Sequence, residues 1–422
     1  MTTGQLVVLI LLILSLVAGS VSGDQIYYRL SYLWGLLFAG SWLWSRWVLR
    51  GVKFNRTARF LRAQVGQVFE ERFAIDNTGR LPRPMLIVRN ESSLPDSQGS
   101  RVFPIIEGRR GRSYVARTRL LRRGVFPLGP TVLESADPFG LFPVNREIPA
   151  LDTLMVYPMM VEVTIFPNPA GVLPGGEALR RRTPHMTTNA AGVREYVTGD
   201  PLNRIHWVST ARRGRLISKE FELDPLAEVW IFLDSAKDVQ AIISMEIPSE
   251  ERHDFWARVD KIPLFPSTEE YGVSIAASLA RYYLRLGRSV GFISVGQSLS
   301  ALSPERGGRQ LGKILESLAM IRAEGELPLR VLIEIQAQHI PRGSTVILIT
   351  PSTKPEIALA VDYILRRGLR PIVVLIDAET FLGLTGTDDL LAMVEILNVP
   401  VRKVRKGDDL RGVLENSTPF PG

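Results

Sequence analysis

The stretch 194–222, REYVTGDPLNRIHWVSTARRGRLISKEFE, carries more local structural signals than any other part of the chain. Asp200 can accept the free amide hydrogens of a first helical turn, and Pro201 suits the first helical position because that position needs no donor. Gly214 favours a helix end after two cations, Arg212 and Arg213. Residues 216–223 then alternate in the manner of a strand. The stretch therefore predicts a strand, a helix and a second strand.

Acidic and basic side chains are closely interleaved in this stretch. The simplest interpretation is an ion-pair network that holds the three elements together. Catalysis by His206 with Asp200 is a second interpretation, and docking of an acidic partner by exposed arginines is a third. Because His206 and Asp200 lie six positions apart across a helix start, with no nucleophile at a motif spacing, the pattern favours the network over catalysis.

The ordered residues of this stretch resemble the signature of DUF58, a bacterial family of unknown function. The matching positions are Arg194, Tyr196, Gly199, Asp200, Pro201, Arg204, His206, Trp207, Ala211, Arg212, Gly214, Leu216, Glu220, Phe221 and Glu222. The resemblance implies a protein partner, since relatives often accompany MoxR-type AAA+ ATPases. We take as candidate binding residues Arg194, Tyr196, Gly199, Asp200, Arg204, His206, Trp207, Arg212, Glu220 and Glu222.

Composition excludes several chemistries. The 422 residues suffice for two or three domains, and the formal net charge is +8. There is no cysteine, so disulfides, thiolate nucleophiles and cysteine-ligated zinc are excluded. The four histidines never stand three or four residues apart, which argues against a histidine-rich metal site.

Two apolar runs, 6–21 and 30–49, predict a transmembrane hairpin within residues 1–50. Tryptophans gather near the end of the second run, where an interfacial aromatic belt would form. Basic residues without acidic ones follow it, so the positive-inside rule predicts a multi-pass protein of the cell membrane with its main body in the cytoplasm. The alternative is a signal peptide cleaved near residues 18–20, although a basic n-region is lacking.

The rest of the chain predicts three further regions. Residues 57–160 contain short alternating runs separated by turn residues, which indicates a small β-sandwich. Residues 161–227 form a linker and the signature block. In residues 228–415 apolar strands alternate with helices, which predicts an α/β domain with an open parallel sheet. The long segment 237–268 is a candidate lid or partner-binding insertion, with a solvated loop as the alternative.

The α/β region resembles a von Willebrand factor A (vWA) domain, as the family relation implies. In such domains a motif after the first strand helps to hold Mg²⁺. Here the corresponding residues are Asp234, Ser235, Ala236, Lys237 and Asp238. Asp234 and Ser235 are the candidate metal ligands. Because Ala236 lacks a hydroxyl and Lys237 adds a cation, the sequence favours a structural aspartate at the strand end over a metal ligand, and we expect no cofactor.

Together these features predict a membrane-anchored cytoplasmic adaptor or scaffold that binds a protein partner, in a MoxR-type AAA+ ATPase system by the resemblance. We expect neither enzymatic activity nor nucleic-acid binding, because no catalytic set is complete and the arginines are dispersed among acidic residues. A hydrolase that uses Asp200 and His206, or the edge of the sheet at Asp234, is the alternative.

Overall fold

The computed structural model describes residues 2–167, 190–196, 205–221, 228–243 and 264–416. Contacts divide these residues into two units, the first ending at Met159 and the second beginning at Met160. The predicted linker from residue 168 to 189 and most of the predicted insertion, 244–263, lie outside the described residues.

The first unit begins with two helices that pack against each other, α1 (Thr3–Ser22) and α2 (Gln25–Val48). A capping box at Thr2 begins α1, and Gly23 ends it in the left-handed conformation. The Asp24 side chain accepts from the amide of Ile26 and so begins α2 directly after the turn. These caps fold the two apolar runs into a helical hairpin.

Among the described residues, only α1 is both long enough and apolar enough to cross a membrane by itself. The expectation of two such helices is therefore corrected for α2. That helix has 24 residues, but it contains Arg29 and Arg46 together with many serine, tyrosine and tryptophan side chains. These polar and amphipathic groups lower its hydropathy below that of an aliphatic span.

Ten strands follow α2 in the first unit: β1 (Val52–Ala58), β2 (Arg62–Gln64), β3 (Val68–Asn77), β4 (Arg83–Asn90), β5 (Arg101–Ile106), β6 (Gly111–Arg119), β7 (Gly124–Pro127), β8 (Thr131–Ser135), β9 (Val144–Ile148) and β10 (Thr153–Tyr157). They form sheets in the orders β1-β3-β6, β2-β10-β7 and β5-β4-β8-β9. All pairs are antiparallel except β2 with β10. Alternate side chains of β3 are buried, as the alternating sequence predicts.

A buried arginine joins α2 to these sheets. The guanidinium of Arg83, at the start of β4, donates to the carbonyl oxygens of Trp47 at 3.0 Å and Arg50 at 2.7 Å. It also lies 3.5 Å from the centroid of the Trp47 ring. Carbonyl groups at a helix C-terminus lack intrahelical partners. Arg83 therefore satisfies the end of α2 and fixes its direction relative to the strands.

The signature block forms a strand pair with a short helix. Strand β11 (Ala190–Glu195) pairs antiparallel with β12 (Ile217–Phe221), and α3 (Trp207–Arg213) precedes β12. Gly214 ends α3 with φ 66°, as predicted. The predicted start at Asp200 and Pro201 lies outside the described residues, but Ile205 and His206 are already extended against β12. The helix therefore begins after these two residues, at Trp207.

A six-stranded sheet organises the rest of the second unit. Its strands are β13 (Val229–Leu233), β14 (Val290–Val295), β15 (Leu299–Glu305), β16 (Thr345–Thr350), β17 (Arg370–Ile376) and β18 (Val401–Val404), in the order β15-β14-β13-β16-β17-β18. Four of the five pairings are parallel, and β15 is an antiparallel edge strand. This confirms a parallel-rich sheet. The edge strand was not predicted. It contains Pro304 and most of its side chains are exposed, so its sequence lacks the continuous apolar run of a buried strand.

Six helices accompany this sheet: α4 (Thr268–Arg285), α5 (Gly308–Met320), α6 (Leu329–Gln336), α7 (Glu356–Arg366), α8 (Thr387–Ile396) and α9 (Leu410–Glu415). A single aliphatic core lies between α6, α7, α8 and one face of the sheet. Strands β13 and β16 are nearly solvent-free on both faces. The continuous apolar runs of the sequence thus form the centre of the sheet, as expected for parallel strands.

Candidate functional site

The candidate site lies at the carboxyl ends of the two central strands. Strand β13 ends at Leu233 and its neighbour β16 ends at Thr350. From β13 the chain continues to β14 and β15 on one side, and returns to β16, β17 and β18 on the other. A ligand site in an open parallel sheet forms where the strand order reverses in this way. Asp234 follows β13 directly and therefore stands at this switch point.

Hydrogen bonds hold both carboxylate oxygens of Asp234. The Thr350 hydroxyl donates to Oδ2 at 2.6 Å, and the Ala236 amide donates to Oδ1 at 3.2 Å. The Thr350 hydroxyl in turn accepts from the Ser352 amide at 2.9 Å. Because Asp234 is only 5% exposed, these bonds fix the carboxylate in one position. The carboxylate thereby links the end of β13, through Thr350, to Ser352 in the loop after β16.

Burial raises the pKa of the Asp234 carboxyl from 3.8 to about 6. The hydrogen bonds from Thr350 and Ala236 act in the opposite direction, because they stabilise the charged form, but they are the smaller effect. Nearby Asp238 adds to the increase and Lys354 opposes it. The carboxyl group thus changes its charge close to physiological pH.

The two candidate metal ligands do not fit a divalent cation. The Ser235 hydroxyl lies 2.9 Å from the Ser294 hydroxyl, which donates to the carbonyl of Leu233, so this serine is bonded inside the fold. Among the described residues no group of three or more acidic or histidine side chains could hold a metal ion. Asp238, the other acidic group of the motif, forms an ion pair with Lys354. A lysine ammonium at this position competes with a cation for the carboxylates.

The mouth of the site is a cavity of about 420 Å³. Two ion pairs border it: Lys354 with Asp238, and Arg330 with Glu334 at 2.9 Å on α6. All four side chains are 40% exposed or more. The apolar lining comes from Pro328, Leu329, Val331 and Ile357. The edge of the sheet therefore presents exposed charges of both signs around an apolar floor.

A glycine closes one side of this site. Gly325 donates its amide hydrogen to the carbonyl of Ser235 at 3.0 Å and accepts from the amide of Lys237 at 2.8 Å. A Cβ atom at this position would lie 2.2 Å from the carbonyl oxygen of Val295. Only glycine permits the chain to approach the ends of β13 and β14 so closely.

The structure describes part of the predicted binding set in the signature block. Gly199, Asp200, Arg204 and Glu222 lie outside the described residues, and of Arg194 and Glu220 only the backbone is described. Tyr196 is half-buried, and its amide donates to the carbonyl of Leu216 at 3.0 Å. The predicted ion-pair network is represented in this part of the chain by Arg215 with Glu195, which joins the two strands.

His206 caps α3. Its Nδ1 accepts a hydrogen bond from the amide of Ser209 at 3.2 Å and lies 2.7 Å from the Ser209 hydroxyl. An accepting Nδ1 leaves Nε2 to carry the proton in the neutral ring. The described geometry therefore gives His206 a structural role at the start of the helix.

Three apolar side chains of the block are exposed. Trp207 is 66% exposed, and Val208 and Leu216 are also well exposed. Arg212, another predicted binding residue, is exposed on the same short helix. Tryptophan and arginine are the residue types most enriched in the energetic centres of protein interfaces. This block thus offers an apolar and cationic surface next to His206.

Sequence reasoning missed some residues of the sheet-edge site. Asp234 follows β13 and was identified by that position, whereas its partner Thr350 at the end of β16 was not. Arg330 and Glu334 were missed because α6 was not predicted, and Lys354 was missed because it lies in a loop beyond β16. The available signal was the apolar spacing of Leu329, Leu332 and Ile333, which is helical.

Comparison with known proteins supports the resemblance to DUF58. Residues 192–252 match the family model described as "Protein of unknown function DUF58". A relative in Bacillus subtilis (strain 168), "Uncharacterized protein YeaD", is 24% identical over 261 residues. That alignment covers 59% of this chain and 58% of the relative, so the chain spans little more than half of the relative's length. Neither description assigns an activity.

Two solved structures match this chain only remotely. One is the Pseudomonas fluorescens alkylpurine DNA glycosylase AlkC bound to DNA containing an abasic site analog, at 15% identity, 32% of this chain, 42% of that chain and a TM-score of 0.15. Another is the GH20 exo-β-N-acetylglucosaminidase from Vibrio harveyi, at 8% identity, 78% of this chain, 57% of that chain and a TM-score of 0.17. Scores this low carry no inference about fold or function.

Proposed function

We propose that this protein is a membrane-anchored adaptor that binds a protein partner at the edge of its parallel sheet. The observation that carries the proposal is the site around Asp234. Its carboxylate is held on both oxygens by the protein itself, while exposed ion pairs surround an apolar floor. A fixed carboxylate surrounded by exposed charged side chains that can change partners suits recognition of another protein surface.

The exposed ion pairs of this site can exchange partners. Lys354 and Asp238 are each about half exposed, as are Arg330 and Glu334. Exposed pairs are worth little in the free protein, roughly 0–1 kcal/mol, because water and salt screen them. Once a partner covers them, the same charges select complementary groups and speed association. We also propose that the α/β domain that carries these ion pairs is a vWA-like domain.

The proposed partner is a MoxR-type AAA+ ATPase. The similarity to DUF58 supports this choice, and so does the exposed surface of Trp207, Val208 and Arg212, which gives the second unit a further contact region. The two surfaces would let one adaptor contact a large assembly at two places. Linked contacts of this kind bind more tightly than either contact alone.

The test is recovery of the ATPase with the full chain from a native detergent extract, with and without an ATP analogue. The variant Arg330→Glu with Lys354→Glu reverses both cations at the cavity. We expect it to retain at most a tenth of the ATPase that the unchanged protein recovers. The matched control is Arg285→Glu with Arg366→Glu, which reverses two exposed cations with acidic partners on α4 and α7.

The control cations stand away from the cavity. Arg366 lies ten residues beyond Glu356, which lines the cavity, and this is about 15 Å along α7. We expect the control variant to recover the ATPase normally. Equal losses in both variants would mean that net charge alone matters, and recovery of the adaptor by itself under all conditions would refute the partner.

The anchoring part of the proposal has α1 crossing the membrane by itself. The less apolar α2 returns packed against α1, and the body lies in the cytoplasm. The pairing of the two helices, the tryptophans near the end of α2 and the following Arg46, Arg50 and Lys53 support this topology. Because the chain lacks cysteine, Ser20→Cys and Gln98→Cys each add a single thiol. We expect an impermeant maleimide to label only Ser20→Cys in intact cells. Labelling of Gln98→Cys without permeabilisation would reverse the topology.

A hydrolase remains the second candidate, and the pKa of Asp234 is the observation in its favour. A carboxyl with a pKa of about 6 titrates in the range that suits a general acid or base. Asp234→Asn removes the titrating proton and preserves most of the shape. On the adaptor proposal, this variant recovers the ATPase and complements a deletion strain. Normal recovery without complementation would favour the hydrolase instead.

A further inference from the structure

A groove runs along the last turns of α2, on the side that faces the β3–β4 connection. Its volume is about 750 Å³, and Trp42, Leu43, Leu81 and Pro82 line its apolar part. Leu43 is 65% exposed and Leu81 57% exposed. Side chains this apolar are unusual on a water-facing surface when they lie together. In the anchored protein, the groove stands where the tryptophans place the boundary between bilayer and water.

Two arginines stand in the same groove. Arg46 and Arg50 line it and are exposed, and Arg46 lies 5.0 Å from the centroid of the Trp42 ring. In the part of the chain that the structure describes, neither guanidinium has a carboxylate partner within ion-pair distance. Both therefore keep their donors available to an anion from outside the protein.

The end of α2 does not repel such an anion. A helix C-terminus carries partial negative charge on its free carbonyl groups. Here Arg83 donates to the carbonyls of Trp47 and Arg50 and lies on the Trp47 ring. A buried cation thus neutralises the helix end next to the groove, so a phosphate group can approach Arg46 and Arg50.

A loop of the first unit reaches the same helical hairpin. Leu141 accepts a hydrogen bond from the Thr2 hydroxyl at 2.9 Å, and the Phe142 ring packs edge-on against Phe38 of α2 at 5.1 Å. Phe38 lies ten residues before the end of α2, about 15 Å along its axis. Phe139, in the same loop, is 65% exposed. In the anchored protein, this exposed phenylalanine would lie close to the bilayer.

We propose that this groove binds an anionic phospholipid of the bilayer, with its phosphate between Arg46 and Arg50 and its acyl chains against Trp42 and Leu43. The inference rests on the anchoring part of the proposed function and adds a lipid class and its site. Paired arginines bind a phosphate group, and their charge favours a headgroup with a net negative charge over one whose phosphate is balanced by choline. The apolar lining matches the adjoining hydrocarbon.

The test uses the full chain in nanodiscs that contain phosphatidylcholine with a minor fraction of phosphatidylglycerol. The protein is then extracted gently, and the retained lipids are identified by mass spectrometry. We expect phosphatidylglycerol to be enriched over its share in the bilayer. Arg46→Gln with Arg50→Gln should lower the enrichment about tenfold, since each basic residue at an anionic surface contributes appreciably. Arg46→Lys with Arg50→Lys should keep most of it.

The charge-matched control is Arg72→Gln with Arg112→Gln, which removes two exposed cations of β3 and β6 outside the groove. We expect the control to retain the enrichment and inorganic phosphate not to compete for it. Equal losses in the groove and control variants, or no enrichment in the unchanged protein, would overturn the lipid site while leaving the anchor in place. Failure of the chain to enter nanodiscs would overturn both the anchor and the site.

Discussion

Two regions of this protein use charged side chains in opposite ways: the packing of β3, β4 and the end of α2 in the first unit, and the cavity at Asp234 in the second. In the first region the charges are inside: Glu71 is 1% exposed and pairs with Arg56, and Arg83 is 2% exposed at the end of α2. In the second unit the core is aliphatic, and charged groups surround the cavity at Asp234, where most are about half exposed. Removing one partner of a buried pair leaves a charge uncompensated inside the protein, whereas exposed pairs cost little to open.

The largest effect is expected from Glu71→Leu in the first unit. Removing one partner of a buried ion pair leaves the other charge uncompensated, and we expect the free energy of unfolding to fall by roughly 4 kcal/mol. Hydrogen exchange of β3, followed by mass spectrometry on the full chain in detergent, measures this loss. The matched control is Glu70→Leu on the same strand, whose partners Arg59 and Arg117 are largely exposed; it should cost less than about 1 kcal/mol.

The paired replacement of Arg56→Met with Glu71→Leu sharpens this test. Apolar side chains of similar volume often substitute for a buried pair without loss. We therefore expect most of the stability to return. If Glu71→Leu and Glu70→Leu cost the same, burial does not distinguish the charges of the first unit, and the comparison fails there.

A slightly smaller loss is expected for Arg83→Met. This change removes two charged donors from the carbonyls of Trp47 and Arg50 and the contact with the Trp47 ring. We expect a loss of roughly 3 kcal/mol, seen as faster hydrogen exchange at the C-terminal end of α2. Arg80→Met, an exposed change in the same connection, is the control and should alter exchange little.

Asp234 is the exception that links the two kinds of charge, because it is buried at the edge of an exposed site. Below a pH of about 4 the carboxyl is protonated in both folded and unfolded chains. As the pH rises from about 4 to about 6, the unfolded chain releases this proton while the folded chain retains it, so stability falls and then levels off. Since one pKa unit is worth about 1.4 kcal/mol, the loss reaches roughly 3 kcal/mol at most.

Asp234→Asn removes this titration. As the pH rises from 4 to 6, the melting temperature of the unchanged protein should therefore fall relative to that of the variant, because only the unchanged protein carries the titrating carboxyl. Thermal unfolding at several pH values measures it, and Asp389→Asn on α8 is the exposed control. A constant difference over this range would show that the Asp234 carboxyl is ionised in the folded protein throughout.

The smallest effect on stability is expected for Lys354→Gln. Its ion pair with Asp238 raises the pKa of Lys354, but both side chains are about half exposed, so solvent screens the pair. We expect the free energy of unfolding to change by less than about 0.5 kcal/mol, measured by denaturant titration. A loss comparable to that of Glu71→Leu would mean that the charges around the cavity hold the fold as the buried ones do.

Much of the second unit could be predicted from local pattern. The limits of β13 and β14 and the positions of α4, α7 and α8 agree closely with the apolar runs, because buried parallel strands must be continuously apolar. The start of α3 could not be predicted from local signals. Pairing of Ile205 and His206 with β12 depends on a strand eleven or more residues away and outweighs the local preference for a helix.

The sequence by itself determined the alternation of apolar strands and helices in the second unit, the apolar helix α1, the end of α3 at Gly214 and the place of Asp234 at a strand end. These features depend on hydrophobic period and on the backbone preferences of single residues. Only the tertiary structure decided that Thr350 holds Asp234, that Lys354 and Arg330 border its cavity, and that Arg83 completes α2. Such contacts join residues far apart in the chain, and no local pattern encodes which side chains a fold brings within hydrogen-bond distance.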